Sequence, residues 1–463
     1  MMNILTTILL AVSLLTEAPN CQQANISVLI KDAESGKVID SYRPDNVVPP
    51  ASVMKLLTTG AALEMLGPSF RFTTVLEYSG HIDNGILHGD LFIRGGCDPS
   101  LGNLKGTQAF IFKWIRAIKA AGIRNIDGAV IADMSLLDGD AVNPAWLWED
   151  CGNYYAPGIF ALNYMSNTLN IVLRSAEVGS VAEVMRSEPN YPGLKTINHI
   201  RCTEITYDGA YVHGLPYSNE RYLTGSVPSN RGQFGVRSDI PNPGWLLATH
   251  LTRHLEENGV KVSKPASFTA ESRLDTGIRQ VIYEHKSDSL GALIAETNIY
   301  SNNLYAESIF RYLGLNYGKP GTIHNSCEVV REFWRMRGVT VKGALIKDGC
   351  GLAPQDAISA EALVDILQYM MRSKNYDIWM KSLPVSGNPN GTLSSLCRGT
   401  VLEGKIHAKS GTIAGTKNFA GYIDLPNGKK WVFAVLVNSA QGKAKNVQTV
   451  IQKYLLDVYQ SNQ

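Results

Sequence analysis

Two stretches near the amino end alternate between apolar and polar residues, which is the period of a β-strand with one buried face. They cover residues 26–30 and 37–42, and the turn-forming residues 32–36 separate them. This pattern predicts a β-hairpin. A mostly apolar stretch follows, from Pro50 to Gly67, with the period and end signals of a helix. Because apolar residues surround it, we expect this helix to be buried, with only its amino end open to chemistry.

The later part of the chain changes from helical to strand-like patterns. Helical periodicity covers residues 289–316, 326–337 and 359–372, and strand patterns return at 405–410, 418–424 and 431–438. Strands at both ends of the chain, with helices between them, predict an α+β fold in which both termini contribute to one mixed sheet.

The middle of the chain is expected to be an insertion. Residues 72–278 contain short strand patterns, loops and two helical patterns, and no repeat or low-complexity linker interrupts them. We therefore predict a discontinuous main domain from residues 22–71 and 279–463, and an inserted α/β region at 72–278 with two small subdomains. A chain of 463 residues is long enough for two or three domains.

Composition and charge exclude several classes of function. Lys and Arg number 43 against 41 Asp and Glu, which gives a net charge of +2 without a long basic run, so nucleic acid is not an expected partner. Residues 1–20 are apolar and then polar, which predicts a signal peptide and export. Cys21 follows directly, and both a lipid anchor with peripheral membrane association and a plain spacer residue stay open. The sequence does not indicate an oligomeric state.

Metal chemistry is not expected. Seven cysteines are present, but none forms a C-x-x-C pair, and H-E-x-x-H is absent. We therefore predict no metal and no cofactor. Export would permit disulfides among the six cysteines after Cys21, but the sequence cannot choose their connectivity.

Three short motifs carry the candidate chemistry. Ser52 and Lys55 are three residues apart at the start of the buried helix, so the lysine amine can reach the serine hydroxyl. A neutral lysine can activate a serine in the way that histidine does elsewhere. Ser301 and Asn303 form S-x-N at the end of a helical stretch, and Lys409 begins K-S-G-T on a predicted strand. Each motif alone is common, but S-x-x-K, S-x-N and K-[ST]-G in this order are the set of active-serine penicillin-recognising enzymes.

With these motifs the chain resembles the class C low-molecular-mass penicillin-binding proteins, which are D-alanyl-D-alanine carboxypeptidases and endopeptidases. The resemblance runs from about residue 26 to residue 459. Further segments support it, namely R-G-G-C-D-P-S-L at 94–101, W-E-D at 148–150 with Y-Y-A-P at 154–157, D-G-C-G-L at 348–352, and G-T-L at 391–393 with Arg398. The 245 residues between Lys55 and Ser301 also match the large insertion of this class.

The resemblance implies a penicillin-binding transpeptidase-like domain, in which helices flank an antiparallel sheet, and a mechanism. Ser52 would be the nucleophile, Lys55 the base, Ser301 a proton relay and Asn303 a residue that orients Lys55. The backbone N–H groups of Ser52 and Thr412 would form an oxyanion hole. The substrate's terminal carboxylate would bind to the side chains of three residues, namely Lys409, Ser410 and Thr412.

The expected substrates are peptidoglycan stem peptides, with β-lactam antibiotics as covalent inhibitors. Asp150 is a weaker binding candidate for a basic group of the stem peptide, since a turn cap explains it equally well. Cys350 replaces the serine of the related pattern, and His407 is expected to have a structural role. A β-lactamase on the same scaffold and an inactive wall-binding scaffold are the alternative functions.

Overall fold

The computed structural model describes residues 11–103, 109–137, 139–270, 278–318 and 320–462. Two compact units make up this part of the chain. The terminal unit contains the described residues of 11–70, 289–318 and 323–462, and the insert unit contains those of 71–288 together with 320–322.

Nine helices are numbered along the described residues. They are α1 (Lys55–Leu66), α2 (Ala109–Ala120), α3 (Pro243–Glu257), α4 (Leu290–Ile299), α5 (Asn303–Asn316), α6 (Ile323–Arg335), α7 (Ala360–Met371), α8 (Tyr376–Ser382) and α9 (Ala444–Ser461). The helical pattern at 289–316 is thus two helices, because residues 300–302 are not helical and separate them.

The strands are short in the insert unit and long in the terminal unit. They are β1 (Asn25–Asp32), β2 (Val38–Tyr42), β3 (Thr73–Tyr78), β4 (His81–Asp83), β5 (Ile86–His88), β6 (Leu91–Arg94), β7 (Asn125–Ile126), β8 (Val130–Asp133), β9 (Thr168–Arg174), β10 (Glu183–Glu188), β11 (Lys195–Asn198), β12 (Arg201–Thr203), β13 (Gly209–His213), β14 (Glu220–Pro228), β15 (Phe234–Asp239), β16 (Lys261–Val262), β17 (Ser267–Thr269), β18 (Gln280–Lys286), β19 (Ile406–Ile413), β20 (Thr416–Asp424) and β21 (Lys430–Asn438).

One five-stranded sheet organises the terminal unit. Its strand order is β19-β20-β21-β1-β2, and every neighbouring pair is antiparallel. The first and last parts of the chain therefore share a sheet, as the strand patterns predict, and the sheet is antiparallel throughout, as the resemblance implies, rather than mixed. Strand β19 lies at one edge of the sheet, and the outer side of its first residues is bonded to residues 384–386, from Ser386 N to Ile406 O at 2.9 Å and from Ala408 N to Pro384 O at 3.1 Å.

One buried core cluster of the terminal unit lies between this sheet and α9. Val28, Phe433 and Val435 of the sheet are buried in one cluster with Ile451 and Tyr454 of α9. Residues 11–16 are helical, and Leu15 and Cys21 belong to the same buried cluster. Of the predicted signal peptide, residues 1–10 lie outside the described residues. Within the described residues, no helix has the length and apolar character that a membrane crossing requires.

Four sheets form the described part of the insert unit. The largest has the order β17-β8-β6-β3-β18, in which β8 runs parallel to both β6 and β17. Because β18 pairs with β3 near the start of the insertion, the strand at 280–286 belongs to the insert unit. The boundary therefore lies at residue 288 rather than at the predicted 278. The predicted division of the insert into two subdomains stays a prediction.

Candidate active site

Ser52 lies in a tight turn that leads directly into the buried helix α1. Residues Ala51–Met54 form a 3₁₀ turn and Lys55 is the first residue of α1. Side chains three residues apart in a 3₁₀ turn lie almost above one another, which brings the Ser52 hydroxyl and the Lys55 amine together. Ala51 has a φ of 48°, and Gly351 packs so closely that a Cβ there would lie 1.8 Å from the Ala51 carbonyl oxygen. Only a residue without a side chain at position 351 can therefore pack against this turn.

Lys55 is fully buried and has three oxygen partners. Its Nζ donates to Ser52 Oγ at 3.0 Å, to Asn303 Oδ1 at 2.6 Å and to the backbone oxygen of Cys350 at 2.8 Å. Burial lowers the pKa of Lys55, because a charged amine loses its hydration there. The nearby acids Asp348 and Glu307 act in the opposite direction on this pKa. Burial is thus the main cause of the lowered pKa of Lys55.

The S-x-N segment occupies the break between α4 and α5. Ser301 adopts a φ of 59°, which is uncommon for a residue with a side chain. Asn302 caps α5, since its Oδ1 accepts the N–H of Tyr305 at 3.2 Å, and Asn303 is the first residue of the helix. Aspartate and asparagine serve almost equally well as N-caps, which explains why Asn302 can stand where related proteins often have aspartate.

Strand β19 brings the third motif to the same place. Lys409 is 0% exposed, and its Nζ donates to Ser301 Oγ at 3.0 Å and to the backbone oxygen of Ser410 at 2.9 Å. Burial lowers the pKa of Lys409 well below its usual value. A Cβ on Gly411 would lie 2.5 Å from the Pro50 oxygen and 3.2 Å from the Ser52 nitrogen. The glycine of K-S-G therefore lets the strand pass directly against the serine turn.

Five of the predicted residues thus form one connected site within the terminal unit: Ser52, Lys55, Ser301, Asn303 and Lys409. Ser410 and Thr412 continue the same strand, with Ser410 buried and Thr412 exposed. The sequence interpretation missed Lys417, whose Nζ donates to Thr412 Oγ1 at 3.0 Å. A hairpin register worked out from the turn at 414–415 would have placed these two residues opposite each other.

A buried turn at residues 348–353 contacts Lys55 through the Cys350 carbonyl. Asp348 accepts the backbone N–H groups of four residues, at 3.0 Å for Cys350, 2.5 Å for Gly351, 2.9 Å for Leu352 and 2.8 Å for Ala353. Glu307 of α5 accepts the N–H of Gly349 at 2.7 Å. Burial, with the neighbouring Asp348, raises the pKa of Glu307 to about 8. Together they fix the segment whose Cys350 carbonyl contacts Lys55.

Two side chains of this turn and Glu307 of α5 are close enough to one another to suggest a metal site. Oxygens of Glu307 and Asp348 and the sulfur of Cys350 lie within 4.8 Å of one another, the one such group among the described residues. Both oxygens of Asp348 already accept N–H groups, however, and burial raises the pKa values of Glu307 and Cys350. Asp348 and Glu307 are thus engaged as acceptors of backbone N–H groups of the turn, so their oxygens already have hydrogen-bond partners.

Two other candidate residues have local partners. Asp150 belongs to the insert unit, where its Oδ1 accepts the hydroxyl of Tyr155 at 3.0 Å. Its role in substrate binding stays a prediction. His407 forms a 3.2 Å contact from Nε2 to Asp424 on the neighbouring strand β20, so it is hydrogen-bonded within the sheet. All seven cysteines lie in the described residues, where they are buried and form no disulfide, including Cys21 and Cys350.

A serine whose hydroxyl meets a buried lysine, with S-x-N and K-S-G residues around them, defines the class of active-serine penicillin-recognising enzymes. Residues 9–457 match the D-Ala-D-Ala carboxypeptidase 3 (S13) family. The chain belongs to this family, and it is a serine-type D-Ala-D-Ala carboxypeptidase by class. The D-alanyl-D-alanine carboxypeptidase of Actinomadura sp. (strain R39) is 27% identical to it over 441 residues, which cover 92% of this chain and 80% of the relative.

Solved structures agree on the fold. Penicillin-binding protein 4 (dacB) from Haemophilus influenzae has a TM-score of 0.83 at 22% identity, covering 97% of this chain and 99% of that one. A second structure of that protein, in complex with a β-lactam, has a TM-score of 0.78 at 22% identity and covers 96% and 98% of the two chains. The resemblance inferred from the motifs is therefore confirmed for the family and for the fold.

Proposed function

We propose that Ser52 attacks D-Ala-D-Ala-type bonds of peptidoglycan stem peptides and forms an acyl-enzyme that water then hydrolyses. The observation that carries this assignment is the set of three contacts around the Lys55 amine. A neutral amine has two N–H donors and one lone pair. The Cys350 carbonyl and Asn303 Oδ1 can only accept, so they take the two N–H groups. When Lys55 is neutral, the bond that its charged form donates to Ser52 Oγ is therefore reversed: the lone pair accepts from the Ser52 hydroxyl, which is the arrangement of a general base.

Burial makes this neutral form of Lys55 accessible. The amine has no carboxylate partner within the described residues, and burial lowers its pKa. Asp348 acts against this effect, but four N–H groups already surround its charge. Lys55 can therefore take the serine proton without first losing a strong ion pair.

Ser301 is the proposed proton donor to the leaving amine. In its charged form Lys409 can only donate, so its hydrogen bond occupies a lone pair of Ser301 Oγ. The hydrogen of the Ser301 hydroxyl is then free to reach the nitrogen of the broken peptide bond. Backbone N–H groups of Ser52 and Thr412 are the proposed oxyanion hole, and donors of this kind lower a barrier by several kcal/mol.

The terminal carboxylate is proposed to bind along β19. Lys409 is buried without an acidic partner in the described part of the chain, and an anion there would restore its charge. The hydroxyls of Ser410 and Thr412 add donors on the same strand. A β-lactam presents an acid and a reactive amide in one small molecule, so we propose that β-lactams acylate Ser52. The β-lactam complex of the Haemophilus influenzae relative supports this step.

Covalent labelling with a fluorescent penicillin tests the nucleophile. The purified chain should form a stable fluorescent adduct, and Ser52→Ala should form none while its circular dichroism stays unchanged. Ser395→Ala, which removes an exposed hydroxyl elsewhere in the terminal unit, is the matched control and should label normally. Labelling of Ser52→Ala would refute the assignment.

Digestion of defined muropeptides separates the two peptidase activities. Release of free D-alanine from monomers shows carboxypeptidase action, and conversion of cross-linked dimers to monomers shows endopeptidase action. Rapid, repeated turnover of a chromogenic cephalosporin would instead favour a β-lactamase. Wall binding without any acylation would favour an inactive scaffold.

Action on peptidoglycan requires export, and we propose that residues 1–20 direct it. Cys21 is only 1% exposed and packs in the core of the terminal unit, so a lipid on its sulfur would have to displace it from the core. Palmitate labelling of the parent chain and of Cys21→Ser in cells tests lipid attachment. Labelling that depends on Cys21 would show an anchor.

A further inference from the structure

Lys417 is a partly buried lysine beside the site that the proposed mechanism does not use. It lies on β20, and within the described residues it has no carboxylate partner. Lys55 and Lys409 are also without acidic partners within hydrogen-bond distance. Three lysines with no counter-ion lie in one small region, and the charge of Lys417 is near enough to Lys409 to lower its pKa. Such a region favours an anionic ligand.

The β19–β20 hairpin determines where the Lys417 ammonium lies. Thr412 and Lys417 are directly opposite each other in the register, so their side chains project from the same face of the sheet. The Lys417 Nζ lies 3.0 Å from Thr412 Oγ1 and 5.0 Å from the ring centre of Phe419, two residues further along β20. A hydrogen bond and a cation–π contact thus hold the ammonium beside the K-S-G-T segment.

The direction of the hydrogen bond to Thr412 matters for binding. An ammonium group can only donate, so Thr412 Oγ1 must be the acceptor. The hydrogen of the Thr412 hydroxyl is then available for another acceptor. A carboxylate placed beside Thr412 would receive this hydrogen and would also lie next to the ammonium of Lys417. The two side chains together therefore present a hydrogen-bond donor and a positive charge to one anion.

We propose that Lys417 is a specificity-determining residue that binds, with Thr412, the free terminal carboxylate of the substrate. The inference rests on the proposed function, in which β19 receives that carboxylate. With this contact the enzyme selects substrates that have a free carboxylate next to the bond that is cleaved. It therefore favours removal of a terminal D-alanine over cleavage of bonds whose leaving group has no such charge.

Two thioester substrates test the proposal. Both carry the same N-acyl-D-alanyl group, but the leaving thiol bears a carboxylate in one and a methyl group in the other. Lys417→Met keeps the length of the side chain and removes its charge. We expect kcat/KM for the carboxylate thioester to fall about tenfold, as for the loss of one charge-assisted hydrogen bond, and kcat/KM for the neutral thioester to stay the same. Added salt should weaken the parent's preference for the carboxylate and leave that of the variant nearly unchanged.

The controls distinguish this proposal from a general loss of structure or charge. Lys453→Met removes the same charge from an exposed position of α9 and should behave as the parent does on both substrates. Equal losses on both thioesters in Lys417→Met would show a structural role and overturn the proposal, as would no loss on either. If the parent hydrolyses neither thioester and does not label with penicillin, the proposed function itself fails, whatever Lys417 does.

Discussion

Asp348→Asn replaces the residue that holds the turn behind Lys55. Each oxygen of the Asp348 carboxylate accepts two backbone N–H groups, and the side chain is 0% exposed. An asparagine keeps one oxygen and replaces the other with an amide group that can only donate. Two buried N–H groups therefore lose their acceptor and face a donor instead.

The structure sets the size of this effect. A buried donor without a partner costs about 1–3 kcal/mol, so two such donors cost about 2–6 kcal/mol. Domains are stable by only about 5–15 kcal/mol, so this loss is a large fraction of the total. The turn also carries the Cys350 carbonyl that accepts from Lys55, so we expect slower acylation even at temperatures where the variant is folded.

The assay is urea unfolding with fluorescent penicillin labelling as the readout, because only the folded site is labelled. With a urea dependence of about 2 kcal/mol per molar, the midpoint should fall by roughly 1–3 M. Asp356→Asn is the matched control in the same turn. Burial raises the pKa of Asp356 well above its usual value, and its Oδ1 accepts the Lys347 N–H at 2.7 Å, a bond that asparagine can keep. Equal midpoints for the two variants would refute the reasoning.

Three further predictions concern buried groups. The pKa of Glu307 is about 8 in the folded chain and 4.5 in the unfolded chain, so the stability that Glu307 contributes falls as the pH rises between these values. Glutamine does not titrate, so the urea midpoint of Glu307→Gln should rise relative to that of the parent from pH 5 to pH 8. Burial raises the pKa of the Cys350 thiol, and all seven cysteines are buried and form no disulfide in the described residues, so Ellman's reagent should react with the native chain hardly at all and with seven thiols in urea. Arg221→Met leaves Asp239 buried without its 2.7 Å partner and should cost about 3–5 kcal/mol in thermal unfolding of the insert unit.

Each of these predictions has a result that would contradict it. A midpoint difference between Glu307→Gln and the parent that stays constant from pH 5 to pH 8 would show that Glu307 does not titrate there. Fewer than seven reactive thiols in urea without reductant would reveal disulfides. For Arg221, the exposed pair of Arg174 and Glu183 provides the control, since Arg174→Met should change stability by less than about 1 kcal/mol.

Local patterns were sufficient for most of the elements of the terminal unit. Alternation predicted the hairpin of β1 and β2, and the apolar run predicted α1 up to its end before Gly67. The patterns failed where a break has no strong local signal. The change from α4 to α5 at residues 300–302 depends on Ser301 in a left-handed conformation, which an ordinary serine does not indicate. Residues 87–94 read as one strand pattern in the sequence, but the structure divides them between β5 and β6, which pair in different sheets.

By itself the sequence determined the motifs, their order and the family, because S-x-x-K, S-x-N and K-S-G are short local patterns. It also determined which side chains are able to act as nucleophile, base and anion ligand. Only the tertiary structure decided what surrounds them. Lys55 obtains its acceptors from Asn303 and Cys350, which are 248 and 295 residues away in the chain, and Thr412 obtains Lys417 from the facing strand. Burial and the direction of hydrogen bonds depend on such distant neighbours, and they determine which protonation state and which free donor each side chain presents.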